Sequence, residues 1–190
     1  VDYYTYVLCS DGDLEEGISY EALSFASAQK LNKLIVIYDA NKVSIDGDIS
    51  KTFTEDIESR FDALDFNIIN VKNGSNISSI TDALKEAKKS DMPSLVIVNT
   101  ILGDGLNDAG TSKVHSGIID NEEMITLKQK YNIPLDPFNY DEKYRNIVIN
   151  NIVTRMEKTF DKWKIIYDIA LQSRDNSLVS MINLLEKGEF

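Results

Sequence analysis

Residues with oxygen ligands follow two apolar runs in the N-terminal part of the sequence. One run leads into CSDGDLEEG (9–17) and the other into DANKVSIDG (39–47). Asp11 and Asn41 are separated by 30 positions, and Val43 follows two positions later. A carboxylate, an amide oxygen and a backbone carbonyl form a hard oxygen set that suits Mg²⁺ or Ca²⁺. The two segments therefore predict a divalent metal site.

The glycine beside the predicted metal ligand adds a second binding feature. Gly12 has no side chain, so a phosphate oxygen could approach its backbone N–H. A predicted helix starts at Ile18, and the positive end of its dipole also favours an anion. A diphosphate could thus bind without a cluster of lysines. An Asp-Gly pair is also a common turn, and these two residues alone leave the turn interpretation open.

Composition limits the kinds of partner that the protein can bind. The 190 residues are 43% hydrophobic and 27% charged, as in an ordinary soluble globular chain. The net charge of −11 and the lack of a basic stripe argue against nucleic acid or an anionic membrane. No apolar run approaches the roughly 18 residues of a membrane span, and we expect a cytoplasmic protein without a signal peptide. The single cysteine, Cys9, excludes an internal disulfide and is expected to be buried.

The predicted metal ligands need a scaffold, and alternating strand and helix patterns provide one. Near-continuous apolar runs are typical of parallel strands covered on both faces. The predicted strands are Tyr3–Cys9, Leu34–Asp39, Phe66–Val71 and Ser94–Asn99. The predicted helices are Ile18–Leu31, Glu55–Leu64 and Ile77–Ser90. This alternation predicts an α/β fold, an open and mostly parallel sheet with helices on both faces.

Sheets of this kind bind ligands at the carboxyl ends of their strands. Both polar segments lie at such ends, and so does the glycine-rich segment TILGDGLNDAGTSKVHSG (100–117). We therefore expect three loops to meet at one edge of the sheet. The last of them contains the only histidine, His115. A lone histidine in a loop is most often a surface residue, and that alternative stays open here.

The sequence changes character near Pro134. Apolar residues then recur every three or four positions, which predicts one long helix with a continuous apolar stripe. The stripe consists of Tyr144, Val148, Ile152, Met156, Phe160, Trp163, Tyr167 and Ala170. A short helix, Leu178–Lys187, is predicted to follow. We interpret residues 1–133 as a ligand-binding domain and residues 134–190 as a helical linker, docked on the sheet domain or on another subunit.

Two segments resemble a known family. LCSDGDLEEGISYEALSFASAQKLNKLIVIYDANKVSIDG (8–47) resembles the thiamine diphosphate signature, which opens with Gly-Asp-Gly and closes with Asn. Its flanks EEGISYEA and NKVSIDG are similar to those of transketolases, and they differ from pyruvate dehydrogenase alpha subunits and 1-deoxyxylulose-5-phosphate synthases. PSLVIVNTILGDGLNDAGTSKVHSG (93–117) resembles the next transketolase block. Ser10 departs from the pattern, because the family has its first glycine there.

The resemblance implies roles at the metal and the diphosphate. Asp11, Asn41 and the carbonyl of Val43 would bind Mg²⁺, with Ca²⁺ or Mn²⁺ as substitutes. The N–H of Gly12 would contact the diphosphate of the cofactor. Ser10, in place of the family glycine, would be costly if the position requires positive φ or a close approach of phosphate. Alternatively, its hydroxyl would donate to a phosphate oxygen.

The resemblance implies further roles around the reacting part of the cofactor. Ile45 and Leu102 would pack on the cofactor rings. His115 would face the diphosphate and donate a hydrogen bond to charge that develops on the substrate oxygen. Glu16 would lie near a dimer interface, in the carboxylate network that helps to activate the neighbouring cofactor. It is equally well interpreted as a first-turn glutamate favoured by the helix dipole.

The implied activity is that of a transketolase of the pentose phosphate pathway. These transferases are homodimers that move a two-carbon ketol unit between sugar phosphates, from a ketose donor to an aldose acceptor, and thiamine diphosphate performs the chemistry. No segment resembles the pyrimidine-binding domain of the family, and the chain begins inside a strand-like run. We therefore expect an incomplete diphosphate-binding domain that is inactive alone. The alternative is a non-catalytic subunit or degenerate paralogue that binds thiamine diphosphate and Mg²⁺.

Overall fold

The computed structural model describes residues 3–188. The chain divides between Tyr131 and Asn132 into two compact units. The first unit contains a parallel sheet with its helices, and the second contains two helices. The interpretation of residues 1–133 and 134–190 as a binding domain and a linker stays a prediction.

Four parallel strands form the sheet of the first unit, as the sequence predicts. They are β1 (Thr5–Ser10), β2 (Leu34–Ala40), β5 (Asn67–Val71) and β6 (Ser94–Asn99), and a hairpin of β3 (Val43–Ser44) and β4 (Gly47–Asp48) follows the second. The order across the sheet is β1-β2-β6-β5. Because all four strands are parallel, their carboxyl ends and the loops that follow them lie along one edge.

Six helices belong to the first unit. They are α1 (Asp11–Glu15), α2 (Gly17–Ala28), α3 (Ile57–Asp62), α4 (Ile77–Ala87), α5 (Lys113–Ser116) and α6 (Asn121–Lys130), and a 3₁₀ turn spans Ile49–Lys51. The three predicted helices are present but end two or three residues earlier than predicted. Asp56 caps α3 and Asn76 caps α4, each by accepting a backbone N–H of the first turn. The sequence analysis did not predict α1, α5 or α6.

The core lies on both faces of the sheet, because neighbouring residues of a strand point to opposite faces. On one face, Leu95 and Ile97 of β6 pack with Phe61 of α3 and residues of α2. On the other face, Val96 and Val98 pack with the inner side of α4. Both faces of the central strands are therefore covered by helices.

The edge strand β1 does not follow the prediction that strands are covered on both faces. Leu8 is 75% exposed, and Val7 and Tyr6 are also exposed. In helix α2, Ile18 and Phe25 are exposed as well. Nothing within residues 3–188 buries this apolar surface, so the prediction is wrong for β1.

The second unit consists of α7 (Glu142–Leu171) and α8 (Asn176–Lys187), which confirms the predicted long helix and the short helix after it. The two helices contact each other, and the hydroxyl of Tyr167 donates to the carboxylate of Glu186. The Trp163 ring stacks on Tyr167, with centroids 4.8 Å apart. No helix among residues 3–188 is both long and apolar enough to cross a membrane.

Candidate functional site

A hydrogen bond links the segments that follow β1 and β2 at the predicted metal site. Asp11 follows β1 directly and is only 3% exposed. Its Oδ2 accepts the backbone N–H of Lys42 at 3.0 Å, and Lys42 lies between Asn41 and Val43. The buried carboxylate is thus hydrogen-bonded to the segment that carries the other two predicted ligands.

A tyrosine of β2 forms a hydrogen bond with the other oxygen of Asp11. The buried hydroxyl of Tyr38 donates to Asp11 Oδ1. Burial raises the pKa of this tyrosine, and the hydrogen bond to the Asp11 carboxylate raises it further. The hydroxyl therefore stays protonated and remains a donor. The sequence analysis missed Tyr38, because an aromatic residue in a buried strand is indistinguishable from ordinary core.

The amide of Asn41 has a defined orientation. Its Nδ2 donates to Asp39 Oδ2 at 3.1 Å, and its Oδ1 accepts the N–H of Val43 at 3.0 Å. A carboxylate can only accept and an N–H can only donate, so both contacts require the same assignment of the amide atoms. The amide oxygen is therefore on the side of Val43, and it retains a second lone pair for a metal.

The side chains at this edge fit a hard divalent cation. Asp11 receives its hydrogen bonds from a hydroxyl and an amide, both neutral, and no ion pair to it forms within residues 3–188. A buried carboxylate without a cationic partner is costly, and a bound cation removes that cost. No group of three histidine, cysteine, aspartate or glutamate side chains within that range could hold a metal. The fit depends on the mixed set of one carboxylate, one amide and one carbonyl.

The serine that replaces the family glycine causes no backbone strain. Ser10 has φ −113° and ψ −177°, which is ordinary extended backbone. Its N–H and its hydroxyl both donate to Asp13 Oδ2, at 2.8 and 2.9 Å. The hydroxyl is thus engaged with Asp13 at the start of α1. Gly12 is exposed in the first turn of that helix, and a Cβ added there would meet no atom within 4 Å.

A cavity of about 650 Å³ opens at the same edge of the sheet. Its lining includes Ser10, Asp39, Thr100, Leu102 and Gly103. The free thiol of Cys9 also lines it and is buried, as predicted, and burial raises its pKa to about 12. The thiol is therefore neutral near pH 7.

The glycine-rich loop reaches this cavity through close packing. Gly103 has φ +67°, and a Cβ there would lie 2.8 Å from Val114 Cγ2. The loop is closed further by the N–H of Gly110, which donates to Leu102 O at 2.7 Å. A side chain at position 103 would therefore be strained, and the turn places Leu102 and Gly103 at the cavity lining.

The remaining predicted residues lie on the surface. His115 is exposed in α5, directly after Val114, and it is not among the residues that line the cavity. Ile45 is 68% exposed in the turn between β3 and β4. Glu16 is exposed between α1 and α2, at the N-cap position of α2. The structure therefore links Asp11 by a hydrogen bond to the segment that carries Asn41 and Val43. Among residues 3–188 it forms no such link between the three exposed residues and that segment, and neither set lines the cavity.

Two further polar residues were missed by the sequence analysis. Thr100, just after β6, donates its hydroxyl to Asp39 Oδ1. Asp39, near the end of β2, is predicted from the sequence only as the last residue of a strand. A sequence signal exists, because β2 and β6 are expected to be parallel and both end in polar residues, but it does not specify which polar residues pair.

The chain matches known proteins over most of its length. The family model described as "Transketolase, thiamine diphosphate binding domain" matches residues 1–180. A transketolase of Staphylococcus epidermidis is 42% identical over 165 residues, which are 86% of this chain and 25% of that protein. The chain thus spans about a quarter of the length of the curated relatives it matches.

Solved structures show the same similarity. A transketolase from Leishmania mexicana superposes with a TM-score of 0.86 and 34% identity, over 100% of this chain and 28% of that one. A transketolase from Pichia stipitis, in complex with sedoheptulose-7-phosphate, gives a TM-score of 0.86 and 32% identity, over 97% and 28% of the two chains.

Proposed function

The chain belongs to the transketolase family and covers its thiamine diphosphate-binding domain, and from that premise we propose that it is part of a working transketolase. The complete protein would transfer a two-carbon ketol unit from a ketose phosphate to an aldose phosphate. The Pichia stipitis transketolase is in complex with sedoheptulose-7-phosphate, a ketose phosphate, which supports this class of substrate. The proposal includes a homodimer in the cytoplasm.

The residues of the metal site would hold the cofactor. Asp11, the amide oxygen of Asn41 and the carbonyl of Val43 would bind Mg²⁺, for which Ca²⁺ or Mn²⁺ would substitute. Gly12 would offer its N–H to the diphosphate from the open side of α1. When bound, thiamine diphosphate supplies a carbanion-stabilising centre that the protein lacks. The main support for the proposal is the hydrogen bond between the Lys42 N–H and Asp11. It connects Asp11 to the segment 30 residues later that contains Asn41.

Residues outside the metal site would act on the substrate and the cofactor rings. Ile45 and Leu102 would exclude water around the rings. His115 would donate a hydrogen bond to the substrate oxygen, where a preorganised donor is usually the largest catalytic contribution. Glu16 would join the carboxylate network at the dimer interface. This chain alone would be inactive, because the family's activating glutamate lies on a pyrimidine-binding domain that no segment here resembles.

The decisive experiment is calorimetric titration of thiamine diphosphate, with and without Mg²⁺, into the protein expressed from its complete reading frame. Asp11→Ala should abolish Mg²⁺-dependent binding, because it removes the buried carboxylate of the metal site. Asp46→Ala is the matched control, because it removes an exposed carboxylate from the nearby β3–β4 turn and should bind normally. Unchanged affinity in Asp11→Ala would remove Asp11 from the site.

Turnover distinguishes a working enzyme from a non-catalytic binding subunit. Ketol transfer between xylulose 5-phosphate and ribose 5-phosphate by the complete protein would support the enzyme. Binding without turnover would support the non-catalytic alternative. The extended backbone at Ser10 gives no support to that alternative, because serine is not strained there.

A further inference from the structure

Three polar side chains at the ends of β2 and β6 form a continuous hydrogen-bonded relay: Thr100, Asp39 and Asn41. The Thr100 hydroxyl donates to Asp39 Oδ1, and the Asn41 amide donates to Asp39 Oδ2 at 3.1 Å. Each carboxylate oxygen therefore has one donor, and the two donors come from different segments of the chain. The relay borders the cavity at this edge, since Asp39 and Thr100 both line it.

We infer that Asp39 is a positioning residue for the metal site, held by Thr100 and acting through Asn41. The side-chain amide of an unconstrained asparagine can rotate and direct either its nitrogen or its oxygen toward a metal. The Asp39 carboxylate fixes the nitrogen on its own side, so the oxygen faces away from Asp39 and remains available as a ligand. Supporting hydrogen bonds of this kind orient metal ligands and tune their affinity. The inference rests on the proposed function, because it concerns the cation that binds with the diphosphate.

The packing around Thr100 confines its side chain on one side. Gly74, in the loop after β5, lies against Thr100, because a Cβ on Gly74 would come within 2.6 Å of Thr100 Cγ2. The N–H of Gly74 donates to Asn99 O at 2.8 Å, which ties that loop to the end of β6. The threonine methyl group is thus confined on one side while its hydroxyl donates to Asp39.

Thr100→Val tests the relay, because valine keeps the shape of threonine and removes only the hydroxyl donor. Thr100→Ser keeps the donor and should restore the behaviour of the wild type. Thr81→Val is the matched control, since Thr81 donates to a carbonyl within α4 on the exposed side of that helix. All three variants are made in the protein expressed from its complete reading frame.

The first measurement is the Mg²⁺ concentration that half-saturates thiamine diphosphate binding. In Thr100→Val this concentration should rise at least about tenfold, the usual effect of losing a supporting contact to a metal ligand. Thr100→Ser and Thr81→Val should stay close to the wild type. The second measurement is the side-chain amide resonance of Asn41 in the ligand-free protein. It should shift in Thr100→Val but not in Thr81→Val, and thermal unfolding should be similar in both.

The outcomes separate this inference from the proposed function. If the wild type showed no Mg²⁺-dependent binding of thiamine diphosphate, the proposed function would fail, and the inference that depends on it would fail as well. If the wild type bound and Asp11→Ala did not, but Thr100→Val kept wild-type half-saturation, only the relay would be overturned. An unchanged Asn41 amide resonance in Thr100→Val would overturn it equally.

Discussion

The candidate site has two halves that differ in burial and hydrogen bonding. The metal half is Asp11, Asn41 and Val43, and the exposed half is Glu16, Ile45 and His115. Each member of the metal half is buried or hydrogen-bonded at the ends of β1 and β2. The members of the exposed half lie on surface turns and short helices. All six residues lie in the same unit, so the difference arises from the loops and not from separate domains.

The difference follows from what each half would contact. A small cation requires ligand oxygens at fixed positions, so the fold must hold them before the cation arrives. Cofactor rings, substrate and a neighbouring subunit arrive with their own surfaces, so residues that meet them can stay exposed until then. The chain therefore holds the predicted metal ligands in place by burial and hydrogen bonds, and it leaves the residues predicted to meet other groups exposed.

The largest expected effect comes from the exposed half. His115→Ala should reduce turnover by about 100-fold, the usual cost of removing one donor to a developing charge. The affinity for thiamine diphosphate and Mg²⁺ should change little, because the proposed hydrogen bond of His115 acts on charge that develops only during the reaction. Steady-state kinetics give the turnover and calorimetry gives the affinity. Both use the protein expressed from its complete reading frame.

Lys113→Ala is the control for His115, because Lys113 lies on the same short helix and forms an ion pair with the exposed Asp108. It should leave turnover unchanged. Equal losses of turnover and affinity in His115→Ala would instead assign the histidine a purely binding role.

The next largest effect tests the packing at Thr100, which supports the metal half through Asp39. In Gly74→Ala the new methyl group would lie 2.6 Å from Thr100 Cγ2 and 2.9 Å from Asn99 O, so the loop must move. Overpacking of this kind costs about 1–3 kcal/mol of unfolding free energy. Urea unfolding measures the loss, and Mg²⁺-dependent cofactor binding should weaken in parallel.

Gly17→Ala is the control for Gly74, because a Cβ at position 17 meets no atom within 4 Å at the start of α2. Alanine is the better helix former, so this variant should be at least as stable as the wild type. If Gly74→Ala were equally stable, the loops after β5 and β6 would not pack as described, and Gly74 would not confine Thr100.

The sequence predicts the strands well because near-continuous apolar runs of five to seven residues, rich in Val and Ile, are typical of buried parallel strands. It predicts helices that are too long, because their C-terminal ends lack a sequence signal for termination. Lys30 adopts φ +48° after α2, and the N–H of Leu31 donates to Ala26 O, which stops the helix. Asp65 adopts φ +56° after α3 and ends that helix in the same way. Neither stop contains the glycine that usually marks one, so a pattern of apolar residues extends both helices too far.

The site is predictable to the extent that it follows from sheet topology. Parallel strands bring their carboxyl ends together, so Asp11 and Asn41 are expected to be neighbours. The pairing of Asp39 with Thr100 depends on the order β2-β6, which skips β5 in the chain, and local patterns do not give strand order. The exposure of Leu8 is equally unpredictable, because an apolar run does not say what covers it.

Ile45 gives a smaller effect in the exposed half. Ile45→Ala should leave the unfolding free energy unchanged, because the side chain is 68% exposed and buries little. The affinity for thiamine diphosphate should fall about tenfold, which corresponds to one or two methylene groups buried on the cofactor. Ile118→Ala, at a fully exposed position, should change neither quantity. Loss of stability in Ile45→Ala would show that Ile45 is a core residue instead.

The smallest effect concerns backbone strain in the metal half. Lys42 adopts φ +63°, which costs a non-glycine residue about 1 kcal/mol. Lys42→Gly removes that cost but adds freedom to the unfolded chain, so the unfolding free energy should rise only slightly. The affinity for Mg²⁺ should not change, because the bond to Asp11 comes from the backbone N–H. Lys42→Ala, which keeps the strain, should match the wild type in urea unfolding. A glycine variant less stable than the alanine variant would mean that the positive φ of Lys42 causes no strain.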